Sequence, residues 1–222
     1  HGEKDIDQLR RIAIIEAECL ARIGKKAEAR SILENNLIKK IHPDLYFAIA
    51  NLEDNIEDRL YWINKVYSFY KLNPISFNDL DDPNYDSLTM DRWGDKKFEE
   101  TKVSVILPAY NAEKGIQIAV ESILSQTWQN IELIIGDDCS TDNTLQVVQE
   151  YARKDDRVKV FSTPQNSGPY VARNIALQAA TGEFVTVNDA DDWSHEKKIE
   201  IQVTHLLENP SVIANTSAHA RL

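Results

Sequence analysis

The stretch IELIIGDDCSTDNTLQVVQEYARK, residues 131–154, sets the grammar of the second half of the chain. Its first seven residues are a mostly apolar run of strand length, leading into turn formers. Acidic and hydroxyl residues follow at once, and from Thr141 the apolar positions recur with helical period. Ser140 or Thr141 is the expected N-cap, because a side-chain oxygen there can accept from an orphan amide of the first turn.

The same unit recurs on both sides. VSVIL (103–107) is a strand followed by the helix AEKGIQIAVESILSQT (112–127). VKVFS (158–162) precedes GPYVARNIALQAATG (168–182), with Pro169 near the helix start and Gly182 past its end. EFVTVN (183–188) precedes HEKKIEIQVTHLLEN (195–209), and SVIAN (211–215) reads as a fifth strand. Strands alternating with helices predict an α/β domain with a mostly parallel sheet and helices on both faces. Such a sheet binds ligands outside the carboxyl ends of its strands. There the sequence places PAYN (108–111), DDCSTD (137–142), TPQNSGP (163–169) and NDADD (188–192). The last carries Asp189, Asp191 and Asp192 within four positions. Like charges so close repel, so the cluster is either solvated or meant for something cationic.

Residues 1–72 read differently. DQLRRIAIIEAECLARI, KKAEARSILENNLIKK, PDLYFAIANLED and IEDRLYWINKVYSFYKL are four helical segments, broken at Gly24 and at Pro43. In the first, Leu9, Ile12, Ala13, Ala17 and Leu20 form the expected apolar stripe. Two successive hairpins, with Ala17, Ala27, Ala29 and Ala50 at the expected crossings, faintly resemble tetratricopeptide repeats; a plain helical bundle is the alternative. Tyr61, Trp62, Tyr67, Phe69 and Tyr70 are expected as core. Residues 73–100 have eight acidic and three basic residues, two prolines and no sustained period. They read as an acidic linker pinned by Phe77, Tyr85 and Trp93. The expected parts are thus a helical hairpin domain (1–72), a linker (73–100) and an α/β domain (101–222).

The net charge of −11 argues against a broad nucleic-acid-binding face. No apolar run is long enough for a transmembrane segment. Two cysteines, Cys19 and Cys139, lie in segments of different kind, and no Cys/His cluster suggests zinc. A reducing cytoplasm is the expected compartment, with peripheral association at the inner face of a membrane as the variant.

Taken together, VSVILPAYN, IIGDDCSTDNT and NSGPYVARNIALQAATGEFVTVNDADD resemble the nucleotide-sugar half of a family 2 glycosyltransferase with the GT-A fold, over about residues 101–215. The resemblance implies transfer of a sugar from a UDP-sugar donor to the hydroxyl of a saccharide or glycoconjugate acceptor, with inversion, in polysaccharide or glycoconjugate synthesis. Pro108, Ala109, Tyr110 and Asn111 would line the base pocket, with Tyr110 free to stack. In the pair Asp137–Asp138, Asp138 would accept from the uracil imide; most relatives have glycine where this chain has Cys139. Arg173 would reach the base or diphosphate. Asp189 would contact the ribose or share the metal, and Asp191 would ligate Mn²⁺ or Mg²⁺ against the diphosphate, with Asp192 either orienting waters behind them or taking no part. Hard oxygen donors suit these ions.

The family's general base lies well after this motif. The chain stops 31 residues after Asp191. Glu196, Glu200 and Glu208 are not convincing bases, so the base is expected beyond Leu222 and the chain is expected to be the donor-binding half of a truncated GT-A domain. The resemblance does not reach residues 1–100, whose helices are a candidate protein-partner surface. Two other readings stand beside it. A sugar nucleotidyltransferase would usually carry a Gly-rich basic phosphate loop, for which PAYNAEKG is a poor substitute. An inert nucleotide-binding domain behind a helical binding module would respond to no nucleotide.

Overall fold

The computed structural model describes residues 6–83, 87–90, 95, 97 and 99–217. The chain divides into two compact units, residues 1–92 with 220–222, and residues 93–219.

In the first unit, α1 (Ile6–Arg22) packs on α2 (Lys26–Lys39), and α3 (Pro43–Ala50) on α4 (Ile56–Phe69). Gly24, at φ 82, turns the first hairpin in a conformation that L side chains resist. Pro43 opens α3, capped by His42, and Asn55 caps α4 by accepting from the Asp58 amide at 2.7 Å. Ala17, Ala29 and Ala50 are buried, whereas Ala27 is exposed. The expected stripe of α1 is only half right: Ala13 and Ala17 are buried, Leu9 and Ile12 exposed. Among the aromatics expected as core, Tyr61, Phe69 and Tyr70 are exposed, because α4 turns Leu60, Ile63 and Val66 inward and these three fall off that stripe.

The segment expected as a linker holds two short antiparallel strands, β1 (Ile75–Phe77) and β2 (Leu88–Met90). The Asn64 side chain donates to the Ile75 carbonyl and accepts from its amide, both at 2.9 Å, fastening β1 to α4. Three-residue strands are too short to show a period. Tyr85 and Trp93 lie outside the described residues.

The second unit is built on a four-stranded parallel sheet: β3 (Val103–Ala109), β4 (Ile131–Asp137), β5 (Val158–Ser162) and β6 (Phe184–Val187), in the order β5-β4-β3-β6. The α/β architecture follows the sequence expectation. The fifth strand does not form. Ile213 is 98% exposed, and Asn215 donates instead to the Gln202 carbonyl at 2.8 Å. An apolar triplet is a strand only when a neighbouring ladder takes its amides and carbonyls.

The strand order fixes where the helices go. The chain steps from β3 outward to β4 and β5, then returns past β3 to β6. Right-handed crossovers running in opposite directions place their helices on opposite faces. Accordingly α5 (Ile116–Leu124), α6 (Thr144–Lys154) and α8 (Lys198–Glu208) cover Val105, Leu107, Leu133 and Ile135. On the other face, α7 (Pro169–Gln178) packs Ala176 on Ile106 and Ile134. Strands β3 and β4 are buried along their whole length, as covered parallel strands must be. Each fully buried Leu or Ile contributes about 1.5–3 kcal/mol.

α7 lies so close to β4 that a Cβ on Gly136 would stand 2.7 Å from the Ala172 carbonyl oxygen. At the opposite end of the strands, the buried Glu132 accepts from Ser104 Oγ, the Thr181 amide and Lys159 Nζ, each at 2.6 Å. Burial opposes its ionisation, but these donors outweigh it and hold the carboxyl far below its usual range. Among the described residues, no helix is long and apolar enough to cross a membrane.

Candidate functional site

The reversal of strand order between β3 and β6 opens a crevice at their carboxyl ends. A cleft of about 630 Å³ lies there. Its walls include Pro108 to Asn111 at the end of β3 and just past it, Asp138 after β4, Arg173 on α7, and Asp189 and Asp191 after β6. These residues, scattered over 84 positions from Pro108 to Asp191, are brought together by the crossover pattern.

The floor is two cross-braced loops. Asn111 and Cys139 both take left-handed backbone, φ 49 and φ 60. Asn tolerates this region; Cys pays for it. Asn111 Oδ1 accepts from the Thr141 amide at 2.8 Å, and its own amide donates to Ser140 Oγ at 3.0 Å. Ala112 donates to Thr144 Oγ1 at 2.7 Å, and Glu113 accepts from the Asn143 amide at 2.9 Å. Asn111 thus spends its side chain on the neighbouring loop. The expected caps Ser140 and Thr141 are used in this bracing; the N-cap position of α6 is Asn143, and Asp142 Oδ1 takes the Thr144 amide at 2.9 Å. Tyr110, 48% exposed, offers its ring to the cleft.

Asp138 is buried and engaged by three donors of its own chain: Thr163 Oγ1 at 2.9 Å, the Ser167 amide at 2.9 Å and the Gly168 amide at 2.6 Å. The Ser167 amide is shared with the second oxygen at 3.1 Å, so three donors serve a carboxylate that can take about four. Burial pushes its pKa up, but the Ser167 amide, the Thr163 hydroxyl and the Gly168 amide outweigh that and hold it below the ordinary value of 3.8. Gly168, at φ 89, occupies the N-cap of α7, so this carboxylate also fixes the start of the helix that carries Arg173. Asp137 differs from its neighbour. It is buried, does not line the cleft, and accepts from the Ser140 amide and Ser162 Oγ at 3.3 Å each.

Arg173 pairs with Asp189 at 2.5 Å and lies over the Tyr170 ring at 5.5 Å. Its Nε is buried with no partner among the described residues. Asp191 is exposed, and its carboxylate makes no hydrogen bond or ion pair among the described residues. Among those residues no group of three or more His, Cys, Asp or Glu could hold a metal by itself. The donor set of Asp189 and Asp191 still fits Mn²⁺ or Mg²⁺, ions that take one or two carboxylates and complete their shell with water and substrate phosphate.

Behind the acidic turn lies Asn188, buried, which the sequence reading quoted within NDADD without a role, with Ser194 and Lys198, which lie outside the quoted motifs. The cleft walls also include Glu113 and Lys114, to which the sequence reading gave no role, and Asp142 and Asn166, which it quoted only within the strand-end segments. Their position at strand ends was the available signal. The glutamates weighed as bases do not line the cleft. Glu196 is fully buried, and Glu200 pairs with Lys97 at 2.8 Å and accepts from Thr127 at 2.7 Å. Glu208 closes α8.

Residues 104–221 match the family model described as Glycosyl transferase family 2. The chain is 43% identical over 113 residues to an uncharacterized glycosyltransferase of Haemophilus influenzae, covering 51% of this chain and 45% of that one. It is 42% identical over 114 residues to the putative teichuronic acid biosynthesis glycosyltransferase TuaG of Bacillus subtilis, with coverage of 51% and 45%. It is 41% identical over 107 residues to the UDP-Glc:alpha-D-GlcNAc-diphosphoundecaprenol beta-1,3-glucosyltransferase WfgD of Escherichia coli, with coverage of 48% and 42%. The chain spans less than half the length of these curated relatives.

Proposed function

The chain belongs to glycosyl transferase family 2, and from that membership we propose that it binds a UDP-sugar with a divalent metal, as the donor side of an inverting transfer to the hydroxyl of a saccharide or glycoconjugate acceptor. The observation that carries the proposal is the convergence of Tyr110, Asp138, Arg173, Asp189 and Asp191 on one cleft at the strand-order reversal. The UDP-glucose donor in the name of one relative and the teichuronic acid in another support the donor and product classes.

In this reading the base stacks on Tyr110, whose π-face accepts any base. The imide N–H meets the remaining acceptor site of Asp138. Arg173 turns from Asp189 toward the diphosphate, where its unpartnered Nε gains an acceptor. Asp189 so released takes the ribose or shares the metal held by Asp191. Bound Mn²⁺ or Mg²⁺ supplies positive charge against the leaving diphosphate. Inversion also requires a base at the acceptor oxygen. The carboxylates of Glu113, Asp138 and Asp142 in the cleft are held by neighbouring amides, which leaves none of them suited to it.

Calorimetry tests the proposal. UDP should bind in Mn²⁺ and weaken sharply in EDTA, and Asp191→Asn should abolish the metal dependence. Preference for a nucleoside triphosphate over UDP, or no response to either, would overturn it.

A further inference from the structure

The acidic turn is held from behind by a side chain of unusual completeness. Asn188 Nδ2 donates to the carbonyls of Asp189 and Asp192, both at 3.0 Å. Its Oδ1 accepts from Ser194 Oγ at 2.6 Å and from Lys198 Nζ at 3.4 Å. Both amide hydrogens and the carbonyl's two acceptor sites are thereby used. The Asn188 amide extends the sheet by donating to the Ile106 carbonyl at 3.0 Å, so the residue is rooted in β6 and β3 while its side chain reaches under the turn. Asp192 donates its amide to the Asp189 carbonyl at 3.1 Å, closing the turn itself.

The second half of the device is Lys198 on the first turn of α8. Its ammonium lies 3.1 Å from Ser194 Oγ. Ser194 is in turn tied to α5, its amide donating to Ser122 Oγ at 3.2 Å. Gln126 fastens the next residues, donating to the His195 carbonyl at 2.9 Å and accepting from the Ile199 amide at 3.0 Å. The turn that carries three carboxylates is therefore anchored to β3, α5 and α8, with one cation behind it. Burial works against that cation, and the charges of Asp192 and Asp189 favour it.

We infer that Asn188 and Lys198 are positioning residues that hold the Asp189–Asp192 turn in the form that takes the metal–diphosphate. This rests on the proposed metal and nucleotide reading of Asp189 and Asp191. Asn188 sets the path of the turn through its two carbonyls, which fixes where both carboxylates point. Lys198 offsets part of the repulsion among the three aspartates, so the cluster survives before a metal arrives. The arrangement matches a general rule for metal sites, in which partners behind the ligands orient them and their loss costs about 10–100-fold in affinity.

The test measures Mn²⁺ binding to the UDP-saturated chain by electron paramagnetic resonance, with thermal melting beside it. Asn188→Leu and Lys198→Met should each raise the Mn²⁺ dissociation constant at least tenfold in protein that is still folded at the assay temperature. Lys198→Arg, which keeps the charge, should restore most of the loss. UDP affinity in EDTA should move less than twofold in all three. A purely structural role would lower the melting temperature of Asn188→Leu and Lys198→Met while leaving Mn²⁺ affinity unchanged, and that result overturns the inference. If the parent chain binds UDP but shows no Mn²⁺ site, the metal reading falls and takes this inference with it; Asp191→Asn separates the two failures, since it must lose Mn²⁺ whenever the parent has it.

Discussion

Arg173 on α7 and Asp189 at the end of β6 close on each other at 2.5 Å across the crevice of the sheet. The helix on one face and the turn after the edge strand β6 are thereby joined by the two groups that a nucleotide sugar would need to separate. The pair satisfies both charges in the free chain. In the proposed reading, binding would exchange these partners: diphosphate would replace carboxylate on the guanidinium, and metal or ribose would replace guanidinium on the carboxylate.

Arg173→Ala should therefore weaken UDP binding in Mn²⁺ by about 10–100-fold, the loss of a charge-assisted contact of roughly 1.5–3 kcal/mol. Arg173→Lys should recover only part, because a lysine offers no fork. Calorimetry on the three proteins decides; equal affinities would remove Arg173 from the site.

Asp138→Asn should cost about 1–3 kcal/mol of stability, since the new amide group faces donors that need an acceptor. UDP affinity should fall with it. A carboxyl held below 3.8 in the folded chain contributes stability that is present above that value and lost as pH falls through the folded pKa. Parent and variant should thus converge in stability as pH drops below about 3.8, measured by urea denaturation across pH.

Cys139→Gly should stabilise the chain by about 1 kcal/mol, the order of the penalty for a side chain in left-handed backbone. The backbone of Cys139 at φ 60 is a conformation that glycine adopts without that penalty. Unchanged or lower denaturation midpoints would show that the loop brace already absorbs the strain.

Glu132→Gln should lower stability by about 1–3 kcal/mol while leaving UDP affinity unchanged. Glu132 lies at the amino ends of the strands, where it ties Thr181 and Lys159 to β4, and the cleft is at the carboxyl ends. A loss of nucleotide binding in folded variant would show that the two ends are coupled.

The alternation of strand and helix was legible because parallel strands buried on both sides read as largely apolar runs, as in Val103–Ala109 and Ile131–Asp137. Pro108 to Asn111, Asp138, Arg173, Asp189 and Asp191 could be named because they sit at strand ends or in quoted motifs, and all of them line the cleft. Asp137 could not be told from Asp138 by spacing; only the pleat sends one carboxylate inward and the other to the cleft wall. The pairing of Arg173 with Asp189 was beyond reach, since it depends on where α7 sits on β3 and β4. So was the brace from Asn188 to Lys198, which is made of ordinary polar residues ten positions apart. The strand expected at 211–215 failed because pairing is a property of the neighbour and not of the segment.

The absent side chain at Gly136 has a bearing on time as well as space. With the Ala172 carbonyl already at the distance a Cβ would forbid, α7 is seated against the sheet and has no slack toward it. Freeing Asp189 for a ligand is then a matter of one guanidinium swinging on its own bonds, a side-chain rotation and not the sliding of a helix, and rotations of that kind are far faster than collective shifts of packed elements. The rate of nucleotide arrival should follow diffusion and charge, with no slow conformational step ahead of it.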